Sequence, residues 1–258
     1  MGVSAEAVIS VRDLNIGFQA EIVQPNLSFD VQPGEIFAIL GGSGSGKSTL
    51  LKTMIGLLPP LAGDVHIDGQ SMRQARDDEL DYKRILRKVG VTYQGSAFLG
   101  SFSVGENVAL PLEEHTDLNP ADICSLVSIK LGLVNLQGYE NHLPSEISGG
   151  MIKRAAIARA LALDPKILFL DEPSAGLDPI ISAELDRLLS RINQLTNTTM
   201  VIVTHDLGSI FRIAHRVLVL GGHGEGILDR GDPRTLQQHS RSDYVRTFFN
   251  SGFSTALS

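Results

Sequence analysis

The chain has 258 residues and a formal net charge of −7, which argues against a general nucleic-acid binder, since those carry a basic excess. Its 43% hydrophobic and 20% charged residues exclude a disordered chain and suffice for one large α/β domain or two small ones.

The N-terminal stretch MGVSAEAVISVRDL lacks a basic patch followed by an apolar core, so no signal peptide is expected. Residues 8–35 alternate like half-buried strands, with Leu27, Phe29 and Val31 on one face and Ser28, Asp30 and Gln32 between them. Pro33-Gly34 makes a turn, and 36–40 is a continuous apolar run, as expected of a strand buried on both faces. A glycine-rich stretch follows at 41–46, then a helix from Lys47 to Leu58 that Pro59-Pro60 should stop. A short strand is expected over 64–68, ended by Gly69.

The middle, roughly 73–160, is charged and helical in pattern, with few strand signals. Asn119-Pro120 and Leu143-Pro144 punctuate its helices. It holds the single cysteine, Cys124, which excludes an internal disulfide, fits a reducing compartment and is expected to be a small buried residue. Strand-like runs return at 167–170, 200–204 and 217–220, alternating with helical stretches in the manner of a parallel sheet. The stretch from about 239 to 258 is weakly patterned and reads as a docked or mobile tail. No run approaches the ~18 apolar residues of a membrane-spanning helix, so any membrane role must come through a partner.

Gly41-Gly42-Ser43-Gly44-Ser45-Gly46-Lys47-Ser48 matches G-x-x-x-x-G-K-[ST] in full. Glycines let successive N–H groups curl inward onto phosphate oxygens, and the following helix adds its positive end. In that pattern Lys47 reaches the outer phosphates and Ser48 offers a hydroxyl to Mg²⁺. The apolar run 167–170 ends in Asp171 and Glu172, at the strand edge where open α/β sheets bind ligands. Asp171 is suited to hold Mg²⁺ and Glu172 to act as general base on an attacking water. Alone, the acidic pair reads equally as a solvated turn; the loop upstream favours chemistry. His205 follows the run 200–204 and is suited to hydrogen-bond the terminal phosphate or the water.

Together these motifs resemble the ATP-binding subunit of ABC transporters, over about residues 8–235 and in the family's order. Gln94 matches the Q-loop glutamine, and Ser148-Gly149-Gly150 the signature, whose usual form is Leu-Ser-Gly-Gly-Gln. Asp171 and Glu172 match the Walker B pair, Ser174 to Asp178 the D-loop, and His205 the switch histidine. Phe18 sits where the family places the aromatic that stacks on adenine, although a lone strand phenylalanine is often core. Lys153 and Arg154 add charge near the signature, Arg154 as part of a solvated face.

The resemblance implies an α/β P-loop NTPase fold: a RecA-like core with an N-terminal antiparallel β subdomain, plus a helical signature subdomain. A single domain over 8–240 would divide into a core of 8–93 and 163–240 and a helical subdomain of 94–162, with a tail over 241–258. It implies nucleotide binding by Phe18, Gly41, Gly42, Ser43, Gly44, Ser45, Gly46, Lys47, Ser48, Thr49, Gln94 and Asp171. Ser148, Gly149, Gly150 and Asp178 would act on the nucleotide of a second copy. Mg²⁺ would lie on Ser48, Gln94 and Asp171, and catalysis would use Glu172, His205, Lys47 and Gln94. The implied assembly is a homodimer around two ATPs, bound to membrane permease subunits at the cytoplasmic face of the inner membrane, with no nucleic acid.

The signature stretch also has a physical reading. Ser148 is placed as an N-cap, the glycines permit close approach, and the helix from Met151 offers free N–H groups. Met151 departs from the usual glutamine, and Ile147 from the usual leucine. The segments 107–116 and 143–151 resemble the ATPases of MCE-type lipid transporters, such as the Mla phospholipid system. That likeness implies a phospholipid or other hydrophobic substrate and an MCE-domain lipid-binding subunit. The D-loop Ser174-Ala175-Gly176-Leu177 keeps the general ABC form rather than the Phe-Val-Gly-Gln of the Mla branch. The apolar loop 96–102 reads either as a permease docking surface, since exposed apolar loops mark such sites, or as a segment whose Phe98 and Phe102 fold back. Other readings are an ABC ATPase of iron–sulfur cofactor assembly, a transporter ATPase for an unrelated substrate, and an ATP-dependent switch with negligible hydrolysis. A small-molecule kinase is disfavoured, because it would lack the signature, D-loop and switch histidine.

Overall fold

A computed structural model describes residues 7–19 and 21–251. The start of the N-terminal stretch read for a signal, and tail residues 252–258, lie outside the described residues. In chain order the first elements are β1 (Ile9–Phe18), β2 (Glu21–Val31), β3 (Ile36–Gly41), α1 (Lys47–Met54), β4 (Ala62–Ile67), β5 (Gln70–Ser71), α2 (Met72–Ala75) and α3 (Glu79–Leu86). Then come β6 (Val89–Thr92), α4 (Val104–His115), α5 (Pro120–Leu133), α6 (Gly149–Ala160), β7 (Ile167–Asp171) and α7 (Pro179–Thr196). The last are β8 (Thr199–Val203), α8 (Leu207–Ile213), β9 (Arg216–Leu220), β10 (Ile227–Gly231), α9 (Pro233–His239) and α10 (Asp243–Ser251). They gather into two compact units, one built from the residues up to Leu86 and from Thr199 onward, the other from Arg87–Thr198.

In the first unit an antiparallel sheet runs in the order β2-β1-β4-β5. The alternation read in β2 holds, with Leu27, Phe29 and Val31 buried and Ser28 and Asp30 only partly so. β3 lies between β8 and β9, parallel to both, and β10 returns antiparallel on β9. Every residue of β3 and β8 is buried, which is why both read as unbroken apolar runs. α1 stops at Met54, four residues short of the expected Leu58. The stop is Gly56, whose φ of +81° is the left-handed C-terminal turn that glycine permits. The predicted prolines act too late to decide it.

In the second unit β6 and β7 pair in parallel, with Thr92 beside Leu170. β6 is a strand within the middle region read as helical; it is short and only alternately buried, too little for a periodic signal. Its Gly90 exists for packing: a methyl there would lie 2.1 Å from the Ala160 carbonyl oxygen, which closes α6 over the strand. Cys124, expected to be buried, is exposed on α5, because Ile123 and Val127 take the inward face of that turn. The tail, read as weakly patterned, forms α10. Among the described residues no helix is long and apolar enough to cross a membrane.

Gly90→Ala is therefore expected to destabilise the protein by about 1–3 kcal/mol, since backbone must move to admit the methyl. Gly132→Ala in α5, where neighbours stand at 3.8 Å or more, is expected to be neutral or stabilising. Urea denaturation midpoints of the two variants check this, and equal midpoints would refute it.

Candidate functional site

In the first unit, β3 delivers the glycine loop at its C-terminal end. Gly44 and Gly46 have φ of +77° and +87°, which lets the backbone curl. Gly46 is also wedged, since a methyl there would meet Val23 Cγ1 at 2.9 Å. Lys47 Nζ donates 2.9 Å hydrogen bonds to the carbonyls of Gly41 and Gly42, so the ammonium spans the mouth of the loop. Ser48 is exposed and Thr49 half-buried on the first turn of α1, and Ser43 is exposed in the loop.

Gln24 of β2 was missed in the sequence. Its side chain is fully buried. Nε2 donates to the carbonyls of Ser45 (2.9 Å), Gly221 (3.1 Å) and Gly222 (2.8 Å), and Oε1 accepts from Gly226 N at 2.7 Å. One amide thus ties the loop to the β9–β10 turn. The alternation gave no signal for it: Gln24 has the parity of the polar positions Ser28 and Asp30, and a register shift beside the left-handed Asn26 (φ +50°) turns it inward.

His205 emerges exposed from β8. The parallel register of Ile39 with Val203 sets it at the same sheet end as the loop. Asp206 beside it caps α8 by accepting from Ser209 N at 3.1 Å. Phe18 ends β1 with 50% exposure, so it is not core and its ring is available.

In the second unit, β7 ends in Asp171, only 9% exposed. Glu172 follows in the left-handed region, φ +48°, a strained backbone for a residue with a side chain. Pairing of β6 with β7 brings Gln94 out at the same edge as these carboxylates. Gln94 is exposed, and its carbonyl accepts from Lys153 Nζ of α6 at 2.6 Å. Burial pushes the Lys153 ammonium below its ordinary range, against the opposing pull of the Glu172 and Asp171 charges. Arg159, farther along α6, donates to the carbonyls of Ser96 (2.6 Å) and Ala97 (2.7 Å) and lies 4.9 Å over the Phe98 ring. Phe98 therefore folds back, while Leu99 and Phe102 face solvent. Buried Asn107 fixes their carbonyls from α4.

Ser148 caps α6, its Oγ accepting from Met151 N at 3.3 Å. Gly150 is needed by the chain itself, since a methyl there would stand 3.0 Å from Ile181 Cγ2. Among the described residues, no atom beyond its own helix and chain neighbours lies within 4 Å of that position at Gly149. Asp178 caps α7 through Ile180 N (2.9 Å) and Ile181 N (3.0 Å).

A buried parallel strand feeding a glycine loop into a helix, with a lysine across its mouth, defines a P-loop nucleotide-binding protein. Residues 25–175 match the ABC transporter family. The chain is 40% identical over 247 residues to a probable ribonucleotide transport ATP-binding protein, mkl, of Mycobacterium leprae, covering 92% of this chain and 69% of that one. It is 35% identical over 261 residues to the intermembrane phospholipid transport system ATP-binding protein MlaF of Haemophilus influenzae, covering 94% and 98%. Among solved structures it resembles the dimeric post-hydrolysis state of the ATP-binding cassette MJ0796 with ADP and Pi, at a TM-score of 0.76 and 28% identity over 87% of this chain and 98% of that one. The chain belongs to the ABC transporter family, and it is an ATPase.

Gln24→Leu would strip the donor from three loop and turn carbonyls. It is expected to cost stability, about 1–3 kcal/mol for each buried group left unpaired, and to weaken ATP binding. Lys47→Ala is expected to weaken ATP binding with the melting temperature unchanged. Thermal denaturation beside titration with a fluorescent ATP analogue checks both, and a Gln24→Leu protein that melts like the wild type would refute the first.

Proposed function

We propose that two copies of this chain close around two ATPs and drive a membrane permease that moves phospholipid or another hydrophobic substrate, together with an MCE-domain partner. The observation that carries the dimer is Gly149. It stands at a capped helix start, and among the described residues no neighbouring atom crowds the space a side chain there would take. A phosphate held by a second copy would require that space to be free, because the bare backbone there can approach an anion. The dimeric MJ0796 cassette, solved with ADP and Pi, supports this.

Each residue then has a role. Phe18 stacks on the adenine, and residues 41–49 cradle the phosphates. Lys47 exchanges the carbonyls of Gly41 and Gly42 for phosphate oxygens. Ser48, Asp171 and Gln94 offer the hydroxyl, carboxylate and amide oxygens that suit a hard cation, so they fit Mg²⁺ and would hold it. Bound there, Mg²⁺ would neutralise charge on the outer phosphates. Glu172 takes the proton of the attacking water, and His205 donates to the γ-phosphate. Across the dimer, Ser148, Gly149, Gly150 and Asp178 complete the site. The exposed Leu99 and Phe102 supply the apolar contact to the permease at the cytoplasmic face of the membrane. Closure is driven by contacts that both copies make to one γ-phosphate.

The lipid substrate rests on likeness to the phospholipid-transport relative, aligned over nearly its whole length. A second reading, a transporter for a polar substrate, is favoured by the higher identity to the mkl protein, named for ribonucleotide transport. Co-purification with a multi-span permease and an MCE-domain protein supports the first; a permease with a soluble nucleotide-binding partner supports the second.

Glu172→Gln is expected to trap an ATP-bound dimer, seen by light scattering, and to abolish phosphate release. If the wild type, assembled with its permease, releases no more phosphate than this variant, the hydrolytic reading is wrong. Met151→Gln is expected to keep ATPase activity within several-fold, since Met151 gives the cap only its N–H, whereas Ser148→Arg should abolish activity; comparable losses would count against this.

A further inference from the structure

The tail reads as patternless, yet α10 has a definite face. Val245 and Phe249 are both fully buried. They join Ala38 and Leu40 of β3, Val217 and Val219 of β9, Ile210 of α8 and Leu236 of α9 in one cluster. The Phe249 ring meets Phe211 edge-on, centroids 5.6 Å apart. Arg246 ties the helix start to the Ser240 carbonyl and to Asp243. The helix is thus packed on the strand that delivers the phosphate loop.

Tyr244 leaves this cluster. It is 48% exposed and its ring stacks on Phe248, centroids 6.2 Å apart. Its hydroxyl reaches the loop: a methyl built on Gly42 would lie 3.3 Å from Tyr244 Oη, with no other atom within 4 Å among the described residues. The far side of the loop is held by Gln24 and Val23. On the Gly42 side, the Tyr244 hydroxyl stands next to the space that a side chain at Gly42 would enter.

We infer that α10 belongs to the nucleotide site, with Tyr244 a positioning residue that braces the loop at Gly42, so that docking of α10 and binding of ATP are linked. The inference rests on the ATP-binding reading above. A glycine-rich loop has much conformational freedom to lose when its N–H groups converge on phosphate. A brace that removes part of that freedom beforehand raises affinity. Linkage is reciprocal, so ATP must in turn hold α10 against the core. Tyr244 is placed to act on the loop through Gly42 and is not a catalytic residue.

The test uses the full chain. Tyr244→Ala is expected to weaken binding of a fluorescent ATP analogue about fivefold, a typical coupling. It should raise KM for ATP equally and leave kcat at saturating ATP unchanged. Tyr244→Phe keeps the ring but loses the atom beside Gly42, and should fall between. In the wild type, ATP should slow amide hydrogen exchange across 243–251, and Lys47→Ala should abolish that effect. This measurement decides the matter even if Tyr244→Ala folds poorly. Unchanged affinity and KM in a folded Tyr244→Ala protein, or exchange in α10 indifferent to bound ATP, overturns the inference. A wild type that binds no ATP overturns the functional reading, and this one with it.

Discussion

A phosphate loop works only if several backbone N–H groups are held pointing at one place, and much of this structure serves that constraint. The net charge of −7 opposes a polyanion at long range, so attraction must come from local dipoles and one ammonium. The loop therefore hangs from a fully buried strand, β3, between two parallel neighbours. Gln24 pins it at Ser45, Val23 fills the space a Gly46 side chain would need, and Lys47 draws the Gly41 and Gly42 carbonyls together. Each contact removes freedom that phosphate binding would otherwise have to remove.

The remaining chemistry follows from the ends of parallel strands. β8 releases His205 in the first unit; β6 and β7 release Gln94 and the Asp171–Glu172 pair in the second. His205 and Gln94 leave that edge exposed, with Glu172 half-buried and Asp171 buried at its strand end, and such edges are where α/β proteins bind ligands. Glu172 adds a cost. A left-handed backbone at a non-glycine residue costs about 1–3 kcal/mol and persists only where its surroundings enforce it. The enforcement is β7, whose five residues are all buried. The strain falls on the residue proposed as general base.

Legibility in the sequence tracked burial and locality. β3, β7, β8 and β9 were readable because burial on both faces leaves unbroken apolar runs. β6 was not, because Gly90 and an alternating burial leave a four-residue strand without a period. The end of α1 was misplaced because Gly56, not the proline pair, takes the left-handed turn. Phe18 could not be told from core until its exposure was seen, and Cys124 ran the other way. Gln24 was beyond local reading, since two of its carbonyl partners, Gly221 and Gly222, lie 197 and 198 positions away. A motif announces residues that face a ligand, while the residues that hold the motif in shape are fixed by tertiary contact.

The same distinction explains the signature helix. Ser148 and the backbone of Met151 form the cap, so a methionine there removes no bond that the cap needs. The charged residues farther along α6 do something the signature alone does not. Lys153 holds the Gln94 carbonyl, and Arg159 holds the two carbonyls at Ser96 and Ala97. Hydrogen bonds to charged groups contribute about 1.5–3 kcal/mol each, and Lys153 and Arg159 are both sheltered enough for burial to lower their pKa. Pulling the Gln94 loop away from α6 would break all three together. These three bonds therefore tie the shape of the Gln94 loop to α6, the helix that Ser148 caps.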